Sequence, residues 1–192
     1  MPLLDAKRLF IAIALPADVK SHLTALQGEL KKSGADAKWV EPENIHLTLK
    51  FLGSVETKSI GGISEALTKH FASRKSFDVV LKYLGCFPSL HSPRVVWAGF
   101  QDEDKATQDI ADLTDEAMTK FGFKKESREF QAHATLARVR SSRNKAALAE
   151  KIDQANQDFK PQTARIDNIT LFESQLTPKG PTYTIVHQVK FL

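Results

Sequence analysis

The sequence predicts an α+β protein built from two similar lobes related by a pseudo-twofold axis, and three observations carry that expectation. The first is a duplicated motif. Ile45-His46-Leu47-Thr48-Leu49 and Ala132-His133-Ala134-Thr135-Leu136 share the pattern His-apolar-Thr-Leu. The second is the repeat around it. His133 follows His46 by 87 residues, Arg94–Ala98 follows Arg8–Ala12 at nearly that offset, and Ala164–Leu171 follows Phe77–Leu84 by 87. The third is an alternation of period-two and helix-like stretches that reads β-α-β-β-α-β in each half. A repeat this long lies outside the roughly 20 to 50 residues of solenoid units. It argues instead for a bilobal pseudo-twofold duplication covering residues 1–192 as one domain. Each lobe is then a mostly antiparallel sheet with helices on its outer face, and the two His-Thr strands face each other across a shared cleft between the lobes.

The elements follow in order. Residues 8–15 form an apolar strand closed by Pro16. Pro16-Ala17-Asp18 starts a helix that runs to about Lys32, with Val19, Leu23, Leu26 and Leu30 at the spacing of a buried stripe. Lys38-Trp39-Val40 is a short strand, residues 41–44 a turn, and Ile45–Leu52 the first motif strand, broken by Gly53-Ser54. A helix over Thr57–Ser73 precedes strands at Phe77–Leu84 and Arg94–Phe100. Glu103–Phe121 is a helix with Ile110, Leu113, Ala117 and Phe121 inward, closed by Gly122. Residues 123–130 read as a strand or turn before the second motif strand, Ala132–Val139. A helix from Asn144 to about Asp158 and strands at Arg165–Phe172 and Thr182–Phe191 complete the chain.

Composition narrows the class without naming a function. Hydrophobic residues at 42% and charged residues at 26% are those of an ordinary globular protein. No run of about 18 apolar residues occurs, so no membrane partner is expected. Leu9–Leu15 reads as a buried strand rather than a signal-peptide core. The single cysteine, Cys86, precludes an intrachain disulfide and reads as a small buried residue. A net charge of +4 is compatible with a polyanionic substrate without demanding one. A cytoplasmic monomer is the working expectation.

On a strand, residues i and i+2 share a face, so His46 with Thr48, and His133 with Thr135, project together while the intervening residues anchor the core. His22-Leu23-Thr24 is a third copy of the triplet. It lies in the first helix, where its two polar side chains point about 200° apart, and is an accident of composition. Two histidines facing one cleft suit phosphodiester cleavage. In-line displacement needs one group to take a proton from the nucleophile and another, opposite, to give one to the leaving oxygen. Imidazole does both near neutral pH. Each threonine hydroxyl can donate to a phosphate oxygen. The plainer reading is two strand histidines satisfied by packing, and duplication in matched positions argues against it. A metal site is a third reading, but neither motif strand carries Cys, Asp or Glu on the histidine face, so no cofactor is expected. Lys50 follows Thr48 on the same face and is a candidate charge at the cleft mouth. Arg138 falls by strict alternation opposite His133, unless a bulge re-aims it. Arg138, Arg140 and Arg143 otherwise read as solvated charge, and Trp39 and Trp97 as packing residues.

Trp39-Val40-Glu41-Pro42-Glu43-Asn44-Ile45-His46-Leu47-Thr48-Leu49-Lys50-Phe51-Leu52-Gly53 resembles the first signature of the RNA 2′,3′-cyclic phosphodiesterases, also called 2′-5′ RNA ligases, of the 2H phosphoesterase superfamily. Phe130–Arg138 resembles the second, with Ala132 where the family usually has proline. Pro93–Trp97 and Leu176–Tyr183 also match the family's habits, so the likeness spans nearly the whole chain. The resemblance implies metal-independent hydrolysis of RNA 2′,3′-cyclic phosphate ends to 2′-phosphomonoesters. The partner would be RNA with such a terminus, or a small nucleotide. It further implies His46 as proton donor to the leaving 3′ oxygen, His133 as the base that activates water, and Thr48 and Thr135 as phosphate ligands. A ligase running the same transesterification toward a 2′-5′ bond, and a non-catalytic RNA or nucleotide binding module, remain as alternatives.

Overall fold

The fold was obtained as a computed structural model, and residues 5–178 and 180–192 are described. Lys179, within the Leu176–Tyr183 match, lies outside them. The strands are β1 (Ala6–Ala14), β2 (Ala37–Trp39), β3 (His46–Glu56), β4 (Phe77–Phe87), β5 (Val95–Gln101), β6 (His133–Val139), β7 (Gln162–Ile166), β8 (Asn168–Thr177) and β9 (Gly180–Lys190). The helices are α1 (Ala17–Lys31), α2 (Ile60–Phe71), α3 (Ala106–Thr119) and α4 (Lys145–Gln157).

The strands run in the order β7-β4-β5-β6-β3-β1-β8-β9, with β2 added beside β6, and every pairing is antiparallel. Read outward from the centre, β6-β5-β4-β7 and β3-β1-β8-β9 are the same series. The two lobes are therefore halves of one continuous sheet. They meet at the register pair Leu47↔Ala134, positions 87 apart in sequence, so the pseudo-twofold axis passes through that pair.

Helix pairs follow the same symmetry, α1 against α4 and α2 against α3. They cover the sheet face onto which Leu47, Leu49, Ala134 and Leu136 project, all buried with Leu23, Leu30, Ile63, Leu67, Ile110, Leu148 and Ile152 in one hydrophobic cluster. α1 buries Val19, Leu23 and Leu30 at the expected spacing, and its His22 contacts the Phe159 ring at 6.0 Å, away from the cleft. Cys86 is buried as expected, and burial pushes its thiol up to about 11. No helix among the described residues is long and apolar enough to cross a membrane.

The structure departs from the sequence reading in three places. Residues 123–130 form no strand, because their backbone groups are held by side chains instead of a ladder: the Lys124 carbonyl accepts from Lys50, and the Glu126 and Phe130 amides donate to Asp115 and Gln108. The apolar stretch 165–172 is two strands rather than one, because the chain leaves β4 at Ile166 and joins β1 from Thr170, changing lobes at Asp167. The outer strands repeat at 85 rather than 86 residues, since Ala12 pairs with Thr48 but Trp97 with Thr135. Trp97 thus takes the place of Ala12, and Gly85 the place of Thr170. A Cβ at Gly85 would overlap the Trp97 indole, so the larger ring in this lobe requires glycine beneath it.

Candidate active site

Leu47 and Ala134 are fully buried and directly opposite, so their neighbours project from the other face of the sheet. Antiparallel register then sets Thr48 beside His133 and His46 beside Thr135, with direct neighbours roughly 5 Å apart. The four predicted motif side chains form a square across the axis, each histidine flanked by a threonine of its own strand and one of the other.

Each imidazole is oriented by a backbone oxygen two residues earlier. His46 Nδ1 lies 2.8 Å from the Asn44 carbonyl and His133 Nδ1 2.7 Å from that of Gln131. A carbonyl only accepts, so both Nδ1 atoms carry the proton and both Nε2 atoms are left for chemistry. His46 Nε2 lies 3.0 Å from Thr48 Oγ1. Asn44 is itself fixed, its Nδ2 donating to the Pro181 carbonyl at 2.9 Å.

The two histidines have unequal surroundings. His46 packs against Phe10, Tyr183 and Phe172 at 4.9, 5.4 and 6.1 Å between ring centroids. His133 meets Phe87 at 5.4 Å and Trp97 at 6.0 Å. Burial pushes the His46 imidazolium down to about 4, opposed by the bond to Asn44 and reinforced by the charges of Lys20 and His133. His46 is therefore neutral at pH 7, with an unprotonated Nε2.

Two bulges decide what else reaches the site. In β3 the register passes from Thr48 opposite Ala12 to Lys50 opposite Ile11, leaving Leu49 as the extra residue. Lys50 is turned into the core, 3% exposed, and Phe51 takes its place on the cleft face. Lys50 is thus not a substrate-binding residue at the cleft mouth: its Nζ donates to Asp115 Oδ1 at 2.5 Å and to the Lys124 carbonyl at 2.7 Å. In β6 the register passes from Thr135 opposite Trp97 to Ala137 opposite Val96, with Leu136 extra. This bulge brings Arg138 onto the cleft face. The two bulges are 87 residues apart, and they present Phe51 from one lobe and Arg138 from the other. Arg140 and Arg143 stay exposed.

A cavity of about 610 Å³ is lined by His46, Thr48, Thr135, Arg138, Phe51 and Trp39, with Lys38 and the β8–β9 residues Thr177 and Gly180–Tyr183. His133 lines a neighbouring hollow of about 380 Å³ with Tyr83, Trp97, Gln108 and Glu129. Among the described residues no three His, Cys, Asp or Glu side chains are grouped as metal ligands would be. Of the two tryptophans only Trp97 is a buried packing residue. Trp39 forms a wall of the larger cavity, with the Lys31 ammonium 5.7 Å from its ring centre. Sequence reasoning missed Phe51, which strict alternation puts on the wrong face, and Tyr183, whose signal was its position in the closing match.

Comparison with known proteins agrees with this geometry. The model of the LigT-like phosphoesterases matches residues 13–97 and 101–183. An RNA 2′,3′-cyclic phosphodiesterase of Thermotoga maritima is 35% identical over 185 residues, covering 96% of this chain and 95% of the relative. One of Methanocaldococcus jannaschii is 36% identical over 182 residues, covering 94% and 99%. In fold, the chain is similar to a Thermus thermophilus protein, TT0787, with TM-score 0.77 at 24% identity, covering 95% of this chain and 97% of the other. Escherichia coli LigT in complex with 3′-AMP gives TM-score 0.75 at 23% identity, covering 97% and 99%. The duplicated His-Thr strands, the sheet that joins them and these matches lead to one statement: the chain belongs to the LigT-like phosphoesterase family.

Proposed function

We propose that this protein hydrolyses the 2′,3′-cyclic phosphate at the end of an RNA to a 2′-phosphomonoester, with His46 and His133 as its acid and base. The observation that carries the reading is the square of two Nδ1-anchored histidines and two threonines on one face of the sheet. The relatives' activity and the family membership support it. A cyclic phosphate held by Thr48 and Thr135 lies between the two Nε2 atoms. His133 takes a proton from water as the water oxygen bonds to phosphorus. The bond from phosphorus to O3′ breaks, and His46 gives its proton to that oxygen. The larger cavity on the His46 side accommodates the terminal nucleoside, which stays bonded to phosphorus through O2′ as O3′ leaves, and the hollow on the His133 side admits the nucleophile. His46 must be protonated to act, and the phosphate anion favours that form by standing against the burial that depresses it. Arg138 adds a cation facing the same anion.

The test is incubation with an oligonucleotide ending in a 2′,3′-cyclic phosphate, with and without a 5′-hydroxyl oligonucleotide. A 2′-phosphate product is expected, and a 3′-phosphate or no turnover would overturn the reading. Formation of a 2′-5′ linked product would show that a ribose hydroxyl replaces water at His133. Excess EDTA should leave the rate unchanged, because the cleft supplies imidazole, hydroxyl and guanidinium groups; activity lost to EDTA and restored by one metal would refute two-histidine catalysis.

Phe51 is 64% exposed on the cavity wall, an unusual setting for a large apolar ring, and fits a platform for a nucleobase. Stacking of a base on an aromatic side chain contributes about 1–3 kcal/mol. Phe51→Ala should therefore raise KM for RNA ends by roughly 5- to 150-fold, while hydrolysis of a substrate without a base is unaffected. Equal losses on both substrates would remove stacking from the account.

A further inference from the structure

Lys50 is the one buried charged side chain of the motif strands, and the chemistry above does not use it. Its ammonium donates to Asp115 of α3 and to the Lys124 carbonyl, while the second oxygen of Asp115 accepts the Glu126 amide at 2.7 Å. The Glu126 carboxylate, largely exposed, stands 3.8 Å from the same ammonium. This knot joins the strand of the first histidine to the segment that leads to the second. That segment, residues 120–132, has no helix or strand of its own. Besides the knot it is held by the Phe130 amide on Gln108 Oε1 at 3.0 Å and by the Ala132 carbonyl, which accepts from the Phe100 amide at 2.9 Å. Its last residues include Gln131, whose carbonyl fixes the His133 ring.

The other lobe solves the same problem with neutral groups. Gln27, buried on α1, donates through Nε2 to the Val40 carbonyl, in the segment that leads to His46, and to the carbonyl of Leu136 at the β6 bulge, both at 2.9 Å. In each case a polar side chain of a lobe's helix, a bulge on the opposite lobe's motif strand, and the segment approaching a motif histidine meet in one buried cluster. Gln27 and Asp115 are near-equivalents in the repeat, as are Leu136 and Lys50. A device present twice in matched places, and built differently each time, is more than a local accident of packing.

We propose that Lys50 is a positioning residue for His133. Acting from the other lobe, it anchors the segment 124–131 and so holds the Gln131 carbonyl that keeps the second imidazole in its Nδ1–H tautomer. The proposal rests on the two-histidine reading above for its kinetic consequence, but not for its structural one. A buried ion pair is also a poor source of net stability, because its attraction is largely offset by desolvation. Removing one partner destabilises strongly, whereas replacing both by apolar residues of similar volume is often neutral. That difference separates positioning from stability.

The experiment compares wild type, Lys50→Met and the double variant Lys50→Met/Asp115→Leu. Lys50→Met should lower Tm by leaving Asp115 unpaired, and the double variant should recover most of that loss. Neither variant keeps the ties that Lys50 makes to the Lys124 carbonyl and the Glu126 carboxylate. Both should show kcat lowered roughly 10- to 100-fold with KM within about threefold, as expected when a catalytic group is displaced on the scale of 1 Å. In 15N-resolved spectra of the imidazoles, His133 should lose its fixed Nδ1–H tautomer while His46 keeps its own. A double variant with recovered Tm, wild-type kcat and an unchanged His133 signature would overturn the proposal. If wild type itself does not turn over a cyclic phosphate, the function proposed above fails, and the His133 spectra alone decide between a positioning and a purely stabilising Lys50.

Discussion

Replacing either His46 or His133 by Ala should lower kcat by roughly 10²- to 10⁴-fold, the span typical of losing a positioned acid or base. The double variant should lose much less than the product of the two, because proton donor and acceptor act as one unit. Both variants should fold, since each imidazole lies on the cleft face and the core contacts of its strand are made by Leu47, Leu49, Ala134 and Leu136. The pH dependence carries a sign. Burial holds His46 near 4, so one limb of the kcat/KM profile, which reports the free enzyme, should lie far below the ordinary histidine range. A bound phosphate anion favours the imidazolium, so the matching limb of the kcat profile should move to higher pH. The limbs belong to the coupled pair rather than to single residues. His46 also makes stability pH-dependent. Its folded pKa lies below the unfolded value of about 6.5, so unfolding takes up a proton between about pH 6.5 and 4, and stability is lost as pH falls across that window. His46→Ala should flatten that part of the melting curve against pH. A folded single variant with near wild-type turnover would end the two-histidine mechanism, and an unchanged limb between the two kinetic profiles would end the account of how His46 becomes protonated.

Thr48→Val and Thr135→Val should each cost on the order of 10²- to 10³-fold in kcat, the loss seen when one donor to a developing charge is removed. Valine keeps the branched shape and strand preference of threonine, so the change isolates the hydroxyl. Serine at either position restores the donor and should recover most of the rate. The two sites are not expected to behave identically. Thr48 Oγ1 also lies 3.0 Å from His46 Nε2, so its loss frees that nitrogen and should additionally shift the pH profile of the pair, which the loss of Thr135 should not. Wild-type rates in both valine variants would reduce the threonines to strand formers.

The sequence by itself determined the paired motifs, because they depend on short-range alternation. Leu47 and Ala134 had to go inward, and the polar neighbours of each had to share the opposite face. It determined the helices, whose apolar spacing is local, and the duplication that makes the two motifs equivalents. Three things were decided only in three dimensions. The bulges at Leu49 and Leu136 exchange faces beyond each threonine, which turns Lys50 inward and brings Phe51 and Arg138 to the cleft. No local pattern shows a bulge, since it arises from fitting each motif strand to its neighbour. The break at Asp167 between β7 and β8 follows from the chain changing lobes, and a continuous apolar run reads as one strand whichever partners it finds. The difference between the two histidines is also tertiary. Their local sequences are alike, but one is enclosed by Phe10, Phe172 and Tyr183, brought from β1, β8 and β9. The other meets Phe87 of β4 and Trp97 of β5. Burial by rings from strands distant in the chain lowers one imidazole's proton affinity, and a repeat read along the chain treats the two as the same.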